Sequence, residues 1–96
     1  MSAYVIVDID VLNPEEYQEY IKRAPATIEM YGGKYLARGA KAEVLEGSWV
    51  PKRLVILEFE SVGKAKAWLE SPEYKPARQM RHRMARTNMV VIAGVD

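Results

Sequence analysis

Cysteine is absent from this 96-residue chain, and histidine occurs once, at His82. The lack of cysteine excludes a disulfide scaffold, a thiolate metal site and a cysteine nucleophile. A single histidine excludes a metal site with two histidine ligands from one chain, and it provides no clear ligand for haem degradation. The sequence therefore predicts a protein without metal or cofactor.

Long hydrophobic runs and a strong charge imbalance are also missing. No run approaches the roughly 18 apolar residues of a transmembrane helix, and the first four residues lack the basic start of a signal peptide. The formal net charge is +1, so no overall field attracts nucleic acid. We expect a soluble, cytoplasmic protein that binds neither membranes nor nucleic acid.

The most informative segment of the chain is a strand that contains a carboxylate. Alternate positions of residues 53–60 fall on two faces of the strand. One face carries Val55, Leu57 and Phe59, and the other carries Leu54, Ile56 and Glu58. If both faces are covered, Glu58 requires a cation, a hydrogen-bond donor or a ligand, because an unpaired buried carboxylate is costly. Glu58 is therefore the first candidate site residue.

The first half of the chain predicts a strand, a helix and a second strand. Residues 3–9 alternate in the strand pattern, and Asn13 followed by Pro14 is a typical start of a helix. Pro25 is expected to kink or interrupt this helix, and Gly32 to end it in a left-handed conformation. The second strand is predicted over residues 34–38, and residues 42–46 are expected to form a short strand extension or hairpin arm.

The second half predicts two helices and a last strand. Ser61 can cap an amphipathic helix, a short helix is predicted over residues 73–84, and residues 89–95 are an apolar strand. With the strand at 53–60, the order is β-α-β-β-α-β, which is that of a ferredoxin-like α+β domain with an antiparallel sheet spanning residues 1–96. Because the helices cover one face only, Ile6, Leu54 and Ile56 need cover on the other. This predicts a homodimer.

Five parts of the chain, taken in order, resemble a known family. They are YGGKYLARG at 31–39, LEGSW at 45–49, VILEF at 55–59, AWLESPEY at 67–74, and Arg78. Together they are similar to the family called domain of unknown function 1330. The resemblance implies a dimeric α+β barrel, in which two ferredoxin-like subunits face each other around a cavity. The wider superfamily includes cofactor-free monooxygenases, haem-degrading enzymes, dehydratases, isomerases and stress-responsive proteins, so the resemblance implies no single reaction.

A candidate site follows from the strand order. Arg38 shares the Leu36 side of the second strand, which pairs with the third strand in this fold. We therefore expect Arg38 and Glu58 to be cross-strand neighbours on the cavity face, with Asp8 on the next strand. Glu58 or Asp8 is a candidate catalytic base, and Arg38 a candidate anion-binding group. Tyr4 is expected to line the same cavity. The alternative is an ion pair that closes the cavity and binds nothing.

A basic stretch from Lys75 to Arg86 offers a second candidate site. Tyr74, Arg78 and Arg81 share one helix face and are expected to rim the cavity and hold a carboxylate or phosphate. A solvated basic surface is the alternative. RNA binding is disfavoured because the third strand carries aliphatic residues and a carboxylate where RNA recognition motifs expose stacking aromatics.

Three functions are compatible with these observations. The first is a cofactor-free enzyme, isomerase or monooxygenase-like, that acts on a small anionic or carbonyl substrate in the cavity. The second is a non-catalytic ligand-binding or stress-related protein. The third is a purely structural dimer whose cavity is filled by side chains.

Overall fold

Four strands and three helices make up the part of the chain that the computed structural model describes, residues 2–95. In chain order they are β1 (Ala3–Val11), α1 (Pro14–Met30), β2 (Lys34–Arg38), β3 (Leu54–Phe59), α2 (Val62–Leu69), α3 (Lys75–Met84) and β4 (Ala85–Ala93). The strands form one antiparallel sheet in the order β2-β3-β1-β4. The predicted ferredoxin-like α+β fold is confirmed. No helix within residues 2–95 is long and apolar enough to cross a membrane.

Helix α1 begins and ends where the sequence predicts. The Asn13 side chain accepts a hydrogen bond from the Glu16 backbone N–H at 3.2 Å, which satisfies one free donor of the first turn. At the other end Gly32 has a φ of +77°, the left-handed conformation that favours glycine. Pro25 was expected to kink or interrupt α1, and it does not interrupt the helix, which continues to Met30.

The helices pack on one face of the sheet, which we call the helix side. Three residues of β1 and three of β3 are buried on this side: Val5, Val7, Ile9, Val55, Leu57 and Phe59. Trp68 of α2 packs against Phe59 with 5.5 Å between ring centroids, and the centroid of the Tyr74 ring lies 4.3 Å from that of Trp68. The other face of the sheet carries no helix, and we call it the open side.

Strand β2 contains a β-bulge that changes which way its last residues point. Lys34 pairs with Glu58 and Tyr35 with Leu57, but the next pairs are Ala37 with Ile56 and Arg38 with Val55. Leu36 is thus an extra residue without a partner on β3, and it reverses the alternation beyond it. Arg38 therefore lies opposite a helix-side residue.

Two segments differ from their predicted structure. Residues 40–53 contain neither a helix nor a strand, so the hairpin arm expected at 42–46 is not formed. This segment is tied to β1 through the Asp8 carboxylate, which accepts hydrogen bonds from the backbone of Lys52 and Arg53. Strand β4 begins at Ala85, four residues earlier than predicted, because residues 85–88 pair with β1.

Candidate functional site

A cavity of about 180 Å³ lies between α1 and the helix side of the sheet. Most of its wall is the apolar core, and its polar lining comes from three tyrosines and two arginines: Tyr17, Tyr20, Tyr35, Arg38 and Arg53. A buried apolar cavity of about 150 Å³ is large enough for benzene. This cavity is therefore large enough for a molecule with a single ring.

Arg38 reaches the cavity through the β2 bulge and is held there by α1. Its guanidinium donates a hydrogen bond to the Ile21 carbonyl at 3.3 Å. That carbonyl lacks the usual helical donor because the residue four positions later is Pro25, which has no N–H. The guanidinium carbon also lies 4.4 Å from the centroid of the Tyr35 ring. The proline within α1 thus provides a docking point for Arg38.

Arg53 continues the helix-side row of β3, two positions before Val55. Its carbonyl accepts a hydrogen bond from Ile9 N–H at 2.9 Å, and its guanidinium carbon lies 5.0 Å from the centroid of the Tyr17 ring. Gly39 leaves room for this side chain: its φ is +85°, and a Cβ there would lie 2.5 Å from the Arg53 Nε. The Nε is buried and has no hydrogen-bond partner within residues 2–95. Arg53 was not among the residues predicted from the sequence, although it has the same strand parity as Val55 and Leu57.

Tyr20, which lines the cavity, has its hydroxyl next to that of the buried Tyr74. The hydroxyls of Tyr20 and Tyr74 are 2.6 Å apart, and the Arg81 Nε donates to the Tyr74 hydroxyl at 3.3 Å. Burial raises the pKa of Tyr20 strongly, and the adjacent Tyr74 raises it further. Burial also raises the pKa of Tyr35. Tyr20 and Tyr35 are therefore neutral phenols at physiological pH and can donate hydrogen bonds.

The electrostatic character of the cavity is positive. Its described lining carries two guanidinium groups and no carboxylate. Arginine remains protonated in proteins, and the two shifted tyrosines remain neutral, so this lining contains no ready general base. The arrangement can bind an anion and stabilise negative charge on it.

The structure places Glu58 away from this cavity, on the open side. It lies opposite Tyr4 on β1 and Lys34 on β2, and the Lys34 Nζ is 3.2 Å from its carboxylate. The expected pairing of Glu58 with Arg38 is wrong, because the register places Lys34 opposite Glu58 and the bulge at Leu36 turns Arg38 to the helix side. Hydrogen bonding from the Ser2 side chain, followed by that from Lys34, lowers the pKa of Glu58. A lowered pKa makes this carboxylate a weaker base.

Asp8 also lies on the open side, where it fixes the segment after Gly39. Its carboxylate accepts hydrogen bonds from the Trp49 indole at 3.1 Å and from the backbone N–H groups of Lys52 at 2.9 Å and Arg53 at 3.4 Å. Burial acts to raise the pKa of Asp8, but these hydrogen bonds outweigh it and lower the pKa. Asp8 therefore helps to position Arg53 from the opposite face of the sheet.

Tyr74 and Arg78 do not form the predicted rim. Tyr74 is fully buried between the helices, because its ring fills the space beside Trp68. Arg78 donates to the Leu69 carbonyl at 3.3 Å and pairs with Glu70 at 3.3 Å, so it covers the end of α2. Within residues 2–95, no group of three or more histidine, aspartate or glutamate side chains is placed to hold a metal ion.

The sequence pattern shared by one protein family matches nearly the whole chain. The family is described as Domain of unknown function (DUF1330), and the match covers residues 2–95. The chain belongs to the DUF1330 family. No curated protein matches it.

Solved structures with the same fold include proteins with and without a described activity. A protein of unknown function from Rhodopseudomonas palustris is 17% identical, with a TM-score of 0.79 over 99% of this chain and 83% of that chain. SnoaB from Streptomyces nogalater, described as a cofactor-independent oxygenase, is 10% identical, with a TM-score of 0.69 over 99% and 94%. A dimeric ferredoxin-like protein of unknown function from Jannaschia sp. CCS1 is 12% identical, with a TM-score of 0.67 over 98% and 100%. Identities this low show a shared fold alone.

Proposed function

We propose that this DUF1330 protein binds a small, partly apolar anion in the helix-side cavity. The observation that carries the proposal is the pair of guanidinium groups, Arg38 and Arg53, in a cavity whose described lining has no carboxylate. Neither arginine forms an ion pair within residues 2–95. A carboxylate or phenolate would supply the negative charge and the hydrogen-bond acceptor for the buried Arg53 Nε.

The size and lining of the cavity define the class of ligand. Its volume of about 180 Å³ suits one ring with one or two polar substituents. The apolar wall, which includes Val7, Val55 and Leu57, favours a ring over a fully polar molecule such as phosphate. A monocyclic aromatic carboxylate fits both requirements, with its carboxylate held by the arginines.

A second candidate function is cofactor-free catalysis on such a ligand, either isomerisation or oxygenation. Two observations favour it: the likeness of this fold to SnoaB, described as a cofactor-independent oxygenase, and the positive charge of the cavity. Guanidinium groups stabilise an enolate or phenolate as it forms. Since the proposed bases Glu58 and Asp8 lie on the open side, the substrate of such a reaction would have to ionise without a lining carboxylate.

We also propose that the open side is covered by a second copy of the chain. On this side Leu36, Val90 and Ile92 are more than half exposed, which is unusual for large aliphatic residues that share one sheet face. The Jannaschia protein with the same fold is described as dimeric. Analytical ultracentrifugation tests this directly, with a dimer expected at micromolar concentration. A monomer would contradict it.

Calorimetric titration with benzoate tests the proposed ligand site. Wild-type protein is expected to bind benzoate, and Arg53→Met to weaken binding about tenfold or more, since a hydrogen bond to a charged group is worth roughly 1.5–3 kcal/mol. Arg38→Met should weaken it as well. The matched control is Arg23→Met, which removes an arginine of α1 that is paired with Glu19 at 3.8 Å on the surface.

Two results would contradict the proposal. One is unchanged benzoate affinity in Arg53→Met and Arg38→Met. The other is an equal loss in Arg23→Met, because this would assign the effect to overall charge instead of the cavity.

A further inference from the structure

Arg81 is a buried cation without an acid partner in the described part of the chain. It is 4% exposed, and none of the ion pairs within residues 2–95 includes it. Its guanidinium donates to two hydroxyl groups, those of Tyr74 and of Thr87 on β4. A buried charge whose partners are neutral hydroxyls polarises them strongly, because the low dielectric of the interior screens it little.

The chemistry of the donors fixes the direction of the hydrogen bonds. A guanidinium can only donate, so the Tyr74 oxygen accepts from Arg81 and its own hydrogen remains available. Tyr74 is fully buried, and the Tyr20 hydroxyl is the one acceptor within reach of that hydrogen among the described residues. If Tyr20 donated to Tyr74 instead, the Tyr74 hydrogen would have no partner in the packed core, which is costly. Tyr20, unlike Tyr74, lines the cavity, where water or a ligand can accept its hydrogen. The favoured order is therefore Arg81 to Tyr74 to Tyr20.

This order leaves the Tyr20 hydrogen without an acceptor within residues 2–95. Tyr20 lines the cavity, and its hydroxyl has no hydrogen-bond partner there besides Tyr74. A phenol that already accepts a short hydrogen bond from a polarised phenol is itself a stronger donor, because such chains are cooperative. Among the lining residues, Tyr20 is thus a candidate neutral hydrogen-bond donor in addition to the two arginines.

We propose that Arg81, Tyr74 and Tyr20 form a one-way hydrogen-bond relay that presents the Tyr20 proton to an oxygen of the bound ligand. The inference rests on the proposed ligand cavity and deepens it, since it adds a requirement on the ligand. Tyr20 contacts the ligand, whereas Tyr74 and Arg81 act through it as positioning residues. The ligand is then a monocyclic molecule with a carbonyl, phenolate or enolate oxygen that accepts from Tyr20.

Such a donor discriminates between related ligands. A ring with an oxygen at the right place completes the relay, but a ring without one leaves the Tyr20 hydrogen unpaired in a dry site. Sites built to hydrogen-bond a polar group reject analogues that lack it more strongly than apolar pockets reject a change in size. The relay also strengthens as charge develops on the accepting oxygen, because a charged acceptor forms the stronger bond.

The binding of 4-nitrophenol tests the relay, because this probe is coloured only as the phenolate and its ionisation in the bound state can be followed by absorbance. Wild-type protein is expected to bind the phenolate and to lower the pKa of the bound probe below that of free 4-nitrophenol. Tyr20→Phe should weaken phenolate binding about tenfold or more and raise the pKa of the bound probe. Tyr74→Phe should shift that pKa in the same direction by less, since it keeps the Tyr20 hydroxyl but removes its link to Arg81.

Tyr31→Phe is the matched control. It also removes a tyrosine hydroxyl with a hydrogen bond of 2.6 Å, to Glu73, but this group is exposed and outside the cavity. Its affinity for the probe and the pKa of the bound probe should equal those of the wild type. A thermal melt of each variant shows whether it folds. If Tyr20→Phe does not fold, the test depends on Tyr74→Phe.

The contrary outcomes separate the relay from the cavity. If Tyr20→Phe and Tyr74→Phe bind the probe with wild-type affinity and wild-type pKa, the relay is wrong and the cavity stands. If the wild type does not bind 4-nitrophenolate at millimolar concentration, the relay is overturned. If the wild type still binds benzoate in that case, the proposed anion site stands. If it binds neither benzoate nor 4-nitrophenolate, both the anion site and the relay are wrong.

Discussion

The two faces of the sheet are built from the same four strands but differ in how they treat apolar and charged residues. On the helix side Leu57 and Phe59 are 2% and 1% exposed, whereas on the open side Val90 and Ile92 are 59% and 58% exposed. Side chains that are neighbours in sequence thus alternate between a closed core and an uncovered apolar surface. The helix side is covered by helices of the same chain, whereas apolar residues of the open side are exposed.

Charged side chains on the two faces differ in the opposite sense, because those of the open side have partners and those of the helix side lack an acid among the described residues. The open-side carboxylates are well supplied with partners: Glu58 pairs with Lys34, and Asp8 accepts three hydrogen bonds. The helix-side cations Arg38, Arg53 and Arg81 have no acid partner within residues 2–95. Arg38 is exposed and Arg81 donates to two hydroxyls, whereas Arg53 has a buried Nε without a partner among those residues. An unpaired buried polar group is costly, so Arg53 is the cation that most favours an anionic ligand. This contrast supports the proposal of a ligand site on the helix side.

The largest expected effect separates two adjacent residues of β3. Leu57→Ala should lower the free energy of unfolding by about 2–5 kcal/mol, because it opens a cavity in the core. Ile56→Ala, on the open side, should cost clearly less at concentrations where the protein is a monomer. Urea denaturation measures both. If Leu57→Ala and Ile56→Ala lose the same free energy of unfolding in dilute protein, the distinction between the two sides is wrong.

A second prediction compares two glycines with nearly the same backbone conformation. Gly39 and Gly47 have φ values of +85° and +87°, so a change to alanine costs about 1–2 kcal/mol at either position. Only Gly39→Ala should also displace Arg53 and weaken benzoate binding, since a Cβ at Gly47 meets nothing within 4 Å. Urea denaturation and titration of both variants check this. Equal benzoate affinities would show that Arg53 does not need the space at Gly39.

A smaller effect concerns acid stability on the open side. The pKa of Glu58 is lowered in the folded protein, so its contribution to stability is present above the pKa of the unfolded chain and is lost as pH falls through the folded value. Stability should therefore decrease below the ordinary glutamate pKa of 4.5, and Glu58→Gln should reduce that decrease. Urea midpoints across this range measure it. An unchanged pH dependence in Glu58→Gln would contradict the assignment.

The smallest expected effect is the coupling between Arg38 and Glu58, which lie on opposite sides of the sheet. The stability changes of Arg38→Met and Glu58→Gln should add to within about 0.3–0.5 kcal/mol. A double-mutant cycle provides this value. A larger coupling would contradict the placement of the two side chains on opposite sides of the sheet.

Signals within a few residues predicted most of the fold. Asn13 and Ser61 both cap helices by accepting from the backbone N–H three residues later, at 3.2 and 3.1 Å, and Gly32 ends α1 as its left-handed conformation requires. The alternation of residues along β1 and β3 was likewise sufficient to assign the face of each strand that is buried on the helix side. These features depend on neighbouring residues in sequence, which explains why the sequence alone contains them.

The site was harder to predict because it depends on contacts between distant residues. The bulge at Leu36 arises from the pairing of β2 with β3 and has no glycine or proline to signal it, so Arg38 was assigned to the wrong face. Arg53 could have been found from its parity with Val55 in the predicted strand, but its contacts with Gly39 and Tyr17 join distant parts of the chain. The Tyr20–Tyr74 contact joins residues 54 positions apart, and no local pattern indicates it.

The location of the ligand site is tested most directly by NMR spectroscopy of methyl-labelled protein during titration with benzoate. The helix-side methyl groups of Ile21, Val55 and Leu57 serve as reporters for the cavity, and those of Ile6, Ile56 and Val90 for the open side. We predict that benzoate shifts the first set and leaves the second unchanged. Shifts confined to the second set would contradict the account and return the site to the face of Glu58.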